Sequence, residues 1–261
     1  MLAVNTTNPK GFVWLVGAGP GAPDLITVRG LKLLQGAEAV VYDELANDEL
    51  LKNCPVGCEQ HSVGKRAGKH SATQHEINAL MVSLAIAGKK VVRLKGGDPL
   101  VFGRAGEEIE ALRTAGLPFE IVPGVTAATA SAAVAALPLT HRDFSSAVVF
   151  VTGHQCAANT TALDWGALAK LRATLCFYMG VRRLPEIAHN LLRHGMPSDM
   201  PLALISEATL PTQKIAITTL GDAEKMIAAQ IGQPALVVIG EVVRLAEFSA
   251  QVPGLHANAA K

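Results

Sequence analysis

The strongest constraint on the fold is a rhythm in the first half of the chain. Short β-rich runs alternate with segments of helical spacing. Phe12–Val16, Glu38–Tyr42, Glu59–Val63, Lys89–Lys95 and Leu117–Val122 read as strands. Between them, Val28, Leu31 and Leu34 share a helical face behind a possible cap at Thr27. Thr73–Ala87 places Ile77, Leu80, Met81 and Leu84 at helical spacing, and Ala105–Ala115 reads as a further helix. Parallel strands need long crossovers, usually helical, so this alternation predicts a mainly parallel sheet. An Ala-rich helix follows from near Val125.

Pro138 to Arg142 reads as the crossing into a second unit. Strands are expected at Ser145–Thr152, Thr174–Met179, Pro201–Ile205, Lys214–Thr218 and Ala235–Ile239, with helices at Leu184–His194 and Asp222–Gln230. The expected fold class is therefore α/β in two domains, residues 1–138 and 139–261. The first carries a mainly parallel sheet and the second a mixed one. No linker separates them in composition. The tail from Gln251 to Lys261 is expected to fray.

Composition narrows the function. Apolar residues are 49% and charged residues 17%, enough for a sizeable core and unlike a disordered chain. Aromatics are 4%, which argues against stacking platforms for single-stranded nucleic acid. A net charge of +1 lacks the basic excess of a duplex binder. The longest apolar run, Val125 to Leu139, is interrupted by Thr126, Thr129, Ser131 and Pro138. It falls short of the roughly 20 residues a membrane span needs. Phe12–Val16 is too short for a signal-peptide core. A cytoplasmic protein is the expectation. Cys54 and Cys58 form a CxxxC pair without a third cysteine two residues on. Free thiols fit better than a metal pair, and no metal site is expected.

Gly17-Ala18-Gly19-Pro20-Gly21-Ala22 follows the first strand and satisfies the spacing of the dinucleotide-binding fingerprint. Asp43 lies where a ribose-binding acid would sit. Pro20 and Pro23, however, remove backbone N–H donors that a pyrophosphate would want, and the helix starts well after the glycines. A dinucleotide loop, a loop for a phosphate-free ligand such as S-adenosylmethionine, and a turn with no ligand all remain open on this motif alone.

Other motifs bear on the choice. They are Val16-Gly17-Ala18-Gly19-Pro20-Gly21 with Asp24-Leu25-Ile26-Thr27, Tyr42-Asp43, and Val63-Gly64-Lys65-Arg66. Arg93-Leu94-Lys95-Gly96-Gly97-Asp98-Pro99 with Phe102-Gly103-Arg104, Val122-Pro123-Gly124-Val125-Thr126 and Leu137-Pro138-Leu139-Thr140-His141-Arg142 follow. Thr152-Gly153-His154 and Tyr178-Met179-Gly180 complete the set. In this order and spacing, from about Val13 to Val243, they resemble the tetrapyrrole C-methyltransferases. Ala22 and Ala208 depart from that pattern, where an acid and a glycine are common.

The resemblance implies two α/β domains with S-adenosylmethionine folded into the cleft between them. It places cofactor contacts on Pro20, Gly96, Gly97, Asp98, Val101, Thr126, Ala127, Met179 and Ala208. It makes Asp43 the candidate base and Lys65 the candidate acid or substrate clamp. The implied reaction is methylation of uroporphyrinogen III at two pyrrole β-carbons, giving precorrin-2 and S-adenosylhomocysteine. A homodimer is implied as well. Each assignment has a plainer rival: Asp43 and Asp98 as turn caps, Thr126 as a helix N-cap, Met179 as core.

The implied substrate is rich in carboxylates. The stretch from His61 to His75 holds no acid and contains Lys65, Arg66, Lys69 and His70. It suits a carboxylate clamp, or else a solvated loop. Arg104, His141, Arg142 and His154 are further substrate candidates. Arg93 and Lys95 are others, or simply ion-paired at a strand end. Two alternatives stand beside this reading: a methylase of the same fold acting on a later precorrin, diphthine or ribosomal RNA, and an NAD-dependent dehydrogenase.

Overall fold

A computed structural model describes residues 10–64, 72–153, 163–227 and 232–246. It divides into two compact units, residues 1–127 and 128–261.

The first unit is a five-stranded sheet, every neighbouring pair parallel, in the order β3-β2-β4-β1-β5. Its strands are β1 (Phe12–Gly17), β2 (Ala39–Tyr42), β3 (Glu59–Ser62), β4 (Lys90–Lys95) and β5 (Phe119–Val122). The helices are α1 (Val28–Leu34), α2 (Gln74–Ile86) and α3 (Ala105–Thr114). Side chains alternate across the sheet. Val16, Val40, Val92 and Leu94 meet Leu34 of α1 on one face. Val13, Leu15, Val41 and Val91 meet Met81 of α2 and Leu112 of α3 on the other. Thr27 caps α1, its hydroxyl accepting from the Gly30 N–H at 3.1 Å. Thr73 and Glu76 form a reciprocal capping box on α2, as a Thr followed three residues later by Glu allows.

The second unit begins with α4 (Ala127–Val134). It continues through β6 (Val148–Thr152), α5 (Trp165–Lys170), β7 (Thr174–Tyr178), α6 (Leu184–Arg193), β8 (Pro201–Ser206), β9 (Lys214–Thr219), α7 (Ala223–Ile227) and β10 (Ala235–Ile239). The sheet order is β6-β7-β10-β8-β9, parallel between β6 and β7 and antiparallel elsewhere. Leu175, Phe177, Leu202, Leu204 and Val237 pack on Leu184, Ile187 and Leu191 of α6. The opposite face, with Cys176, Ala203, Ile205 and Val238, is covered by Ala128, Ala135 and Leu137.

That last contact places the division between units at the start of the Ala-rich helix, not at its end as the sequence suggests. Small side chains let α4 lie close on the second sheet. The Tyr178 hydroxyl accepts from the Ala128 N–H at 3.1 Å and satisfies a donor of the helix's first turn. The α5 helix is unforeseen in the sequence. Asp164 caps it by accepting from Ala167 N–H at 2.9 Å, but Gly166 and its short length hide the pattern. Of the helix expected at Asp222–Gln230, the part through Ile227 is described; the rest lies outside the described residues.

Candidate functional site

In the first unit all five strands run the same way, so the sequence motifs collect at one edge, the carboxyl ends. The loops after β1 and β4 matter most. These strands are neighbours, yet β1 continues to α1 on one face while β4 continues to α3 on the other. Such a divergence of neighbouring connections is where open α/β sheets bind ligands.

Here the backbone itself forms the site. Gly19 and Gly97 exchange two hydrogen bonds, at 3.2 and 2.7 Å. A Cβ at Gly17 would lie 2.5 Å from Gly124 Cα and 2.7 Å from the Gly97 carbonyl oxygen. One at Gly124 would lie 2.3 Å from that same oxygen. Three loops therefore touch backbone to backbone, which side chains would forbid. Gly97 is different. Its φ is +68°, and the nearest atom to an added Cβ is Ala127 N at 4.0 Å. Space is open above it, so a ligand can approach the main chain closely. Asp98 straps the cradle together. One carboxylate oxygen accepts from Gly124 N–H at 3.0 Å and the other from Leu100 N–H at 2.8 Å. The turn-cap reading of Asp98 is thus realised in the geometry, and it holds the loops after β4 and β5 in register.

Beside the cradle lies a buried cluster of charge. Arg93 is 2% exposed and Lys95 3%. Both point from β4 toward α3, where Glu108 is fully buried. Glu108 Oε1 accepts from Arg93 Nε and Lys95 Nζ, each at 2.9 Å. Arg93 also donates to the Val41 and Leu94 carbonyls and, at 3.2 Å, to Asp43 Oδ2. Asp43 Oδ1 accepts from Leu45 N–H at 3.2 Å. Burial, then the Arg93 charge, hold the Lys95 ammonium below the ordinary lysine range, while Glu108 and Asp43 pull it back up. The ion-paired reading of Arg93 and Lys95 is what the structure shows. Glu108 was not singled out from sequence. The available signal was its place at i+3 from Ala105 and i−4 from Leu112, on the apolar stripe of α3, opposite two inward-facing bases.

The ends of β2 and β3 also enclose a cavity of about 200 Å³ lined by Tyr42, Glu44, Asn47, Asp48, Ser62 and Gly64. Two acids in its wall make it a poor receptacle for carboxylates.

In the second unit, Met179 follows β7 and Ala208 follows β8. Both strands run antiparallel to β10, so these residues flank the start of β10 at one edge of the sheet. Met179 is 55% exposed with φ +54°. Ala208 is buried between Glu207 and Thr209, with φ of +48° and +74°. Non-glycine residues held in this region are uncommon and concentrate at ligand sites. Ser206, just before them, is buried with its hydroxyl unpaired among the described residues.

The remaining expected residues fall as follows. Pro20, Gly96, Val101, Thr126 and Ala127 lie on the cradle loops or directly after them. Arg104, φ +57°, begins α3 and pairs with Glu107 at 2.7 and 2.8 Å, both exposed. His141 closes a tight turn with Ser145, its Nδ1 accepting from Asp143 N–H at 3.2 Å, and Arg142 is exposed on that turn. Lys65, Arg66, Lys69, His70 and His154 lie outside the described residues. Among the described residues no group of three His, Cys, Asp or Glu side chains is placed to hold a metal. No described helix is long and apolar enough to cross a membrane.

Residues 13–224 match the family model described as tetrapyrrole (corrin/porphyrin) methylases. The chain belongs to that family. It is similar to a siroheme synthase of Gluconacetobacter diazotrophicus, 48% identical over 90% of this chain and 50% of the relative. It is also similar to siroheme synthase 1 of Yersinia enterocolitica, 50% identical over 90% of this chain and 50% of the relative. It thus spans about half the length of these relatives. Among solved structures, uroporphyrin-III C-methyltransferase from Thermus thermophilus, complexed with S-adenosylhomocysteine, matches with a TM-score of 0.78 and 39% identity. That match covers 90% of this chain and all of the other. A cobalt precorrin-4 methyltransferase matches with a TM-score of 0.79 and 31% identity, covering 89% and 95%. Family membership sets the dehydrogenase reading aside.

Proposed function

We propose that this chain transfers methyl groups from S-adenosylmethionine to two pyrrole β-carbons of uroporphyrinogen III, yielding precorrin-2 and S-adenosylhomocysteine. The observation that carries this is the glycine cradle of a tetrapyrrole methylase, open above Gly97 at the divergence of β1 and β4. Its shape suits a ligand that needs close backbone approach and no pyrophosphate pocket. The Thermus relative, matched over its whole length, is a uroporphyrin-III C-methyltransferase solved with S-adenosylhomocysteine.

In this reading Pro20, Gly96, Gly97, Asp98, Val101, Thr126 and Ala127 of the first unit hold the cofactor, and Met179 and Ala208 of the second complete its contacts. The bound cofactor supplies a methyl group on a sulfonium. The protein's part is to align an electron-rich pyrrole carbon with it, exclude water and remove one proton. Asp43 takes that proton. The Leu45 N–H and Arg93 hold its carboxylate in place, one on each oxygen. Lys65, Arg66, Arg104, His141, Arg142 and His154 engage the substrate's acetate and propionate groups. The protein works in the cytoplasm as a homodimer, without a metal and without nucleic-acid or membrane partners.

Incubation with uroporphyrinogen III and methyl-labelled cofactor tests the reading. Label should enter the tetrapyrrole at two positions; transfer to a later precorrin and not to uroporphyrinogen III would move the chain to another branch of the family. Lys65→Ala should leave S-adenosylhomocysteine affinity nearly unchanged while sharply lowering transfer. Loss of cofactor binding, with porphyrinogen affinity kept, would put Lys65 on the cofactor side.

A further inference from the structure

We infer that Glu108 is a positioning residue for the methyl transfer, acting through Arg93 on Asp43. The inference rests on the proposed role of Asp43.

Glu108 does not sit in the cradle and touches none of the expected cofactor residues. It is fully buried on α3, a place where a carboxylate needs strong compensation. Oε1 is crowded, accepting from Arg93 Nε, Lys95 Nζ and, at 3.4 Å, Gln74 Nε2. Oε2 is buried with no partner among the described residues. Here every donor converges on one oxygen, and that fixes the Arg93 guanidinium by its Nε. With Nε pinned and Nη1 anchored to the Val41 and Leu94 carbonyls, Nη2 donates to Asp43 Oδ2 at 3.2 Å. The plane of the guanidinium thus transmits the position of α3 to the end of β2.

The charged groups facing this cluster are Arg93 and Lys95 from β4 and Asp43 from β2. The neighbouring helix α2 contributes the neutral Gln74 and Asn78, and Glu107 turns outward to Arg104. The described cluster therefore balances two cations against two carboxylates. Removing either Glu108 or Lys95 shifts the local charge by one unit, in opposite directions.

The test is the pH profile of kcat in the full chain, with Glu108→Gln and Lys95→Met. Glu108→Gln removes a negative charge, so the acid limb should move to lower pH. Lys95→Met removes a positive charge and should move it to higher pH. Both should lower kcat, Glu108→Gln by about tenfold, corresponding to about 1.4 kcal/mol, with S-adenosylhomocysteine affinity kept within about twofold, far less than the tenfold that 1.4 kcal/mol would give. Limbs that stay still, or that move the same way in both variants, would reduce Glu108 to a core ion pair and overturn the inference. So would a fall in cofactor affinity parallel to kcat. If Glu108→Gln does not fold, Arg93→Lys decides: it keeps the charge but cannot bridge Glu108 to Asp43, so kcat should fall with cofactor affinity kept, and an unchanged kcat overturns the inference. A second readout needs no turnover. The Arg93 Nε–H should give a protected 15N signal in the wild type that loses protection in Glu108→Gln; equal protection refutes the hub. If the wild type fails to methylate uroporphyrinogen III, the proposed function falls, and the Arg93 signal still decides whether Glu108 fixes the guanidinium beside Asp43.

Discussion

The two sheets bury polar groups in opposite ways. The first holds Arg93, Lys95 and Glu108, a charged cluster, beneath its carboxyl edge. Among the described residues, the polar side chains buried in the second are Ser131, Ser145, Thr174 and Ser206, all neutral. The edge that carries Met179 keeps that residue, Glu207 and Thr209 in left-handed backbone conformations, as the first unit keeps Phe102 and Arg104, but among the described residues it has no buried charge beside them. Buried charge is useful where a proton must be handled and a carboxylate aimed. Backbone strain and an apolar wall suffice where a ligand has only to be held. The difference matches a division in the proposed reaction: chemistry on the first unit, with Met179 and Ala208 of the second as added contacts.

The comparison breaks most readily at the cradle. Gly17→Ala drives a Cβ into the Gly124 backbone and the Gly97 carbonyl, neither of which can swing aside. It should destabilise the first unit by about 3 kcal/mol or more and abolish S-adenosylhomocysteine binding. Urea unfolding and calorimetry measure the two. A variant that binds normally would mean the loops are not in backbone contact.

Asp98→Ala comes next. It strands the Gly124 and Leu100 N–H groups, at a cost of about 2 kcal/mol in stability. Cofactor affinity should fall with it, and Asp98→Asn, which keeps one acceptor, should recover part of both. Full stability with lost affinity would show that Asp98 serves the ligand and not the loops.

The buried charge sets a smaller, pH-dependent effect. The Lys95 ammonium is held below its ordinary value of 10.5, chiefly by burial. Between its folded and unfolded values the unfolded chain binds more protons, so stability rises with pH across that window. Relative to Lys95→Met, the wild type should therefore gain stability as pH climbs toward 10.5. The gain is about 1.4 kcal/mol for each unit of depression. A difference in urea midpoints that stays flat from pH 7 upward would mean burial does not govern Lys95.

The smallest effect belongs to the second unit. Met179→Gly relieves the left-handed backbone and should be neutral or stabilising by up to about 1 kcal/mol, while cofactor affinity weakens severalfold. Destabilisation instead would show that the thioether packs as core.

The fold was legible because its signals are periodic. β10 was read at its observed bounds, and β1, β4 and α2 to within a residue at each end, since strand and helix repeats differ plainly. The Ala-rich helix was read as a helix but assigned to the wrong side of the boundary, because a segment of small apolar residues has no distinct face. For the candidate site, the glycines and Asp98 were legible as motifs, though the strapping of one loop to another by Asp98 was not. Glu108 escaped because a glutamate on a helix normally faces water, and only the opposed Arg93 and Lys95 turn it inward.

The strand order also dictates how the first unit can come together as it is made. β4 lies between β1 and β2, and β5 closes the far side of β1. Until the ribosome has released the chain through β4, β1 and β2 have no common neighbour, and until Gly124 has followed, the Gly17, Gly97 and Gly124 loops cannot meet. The cradle is thus a late product of synthesis, built from contacts far apart in sequence. A nascent chain stalled before β5 leaves the outer edge of β1 unpaired, so this interval is when a chaperone has most to shield.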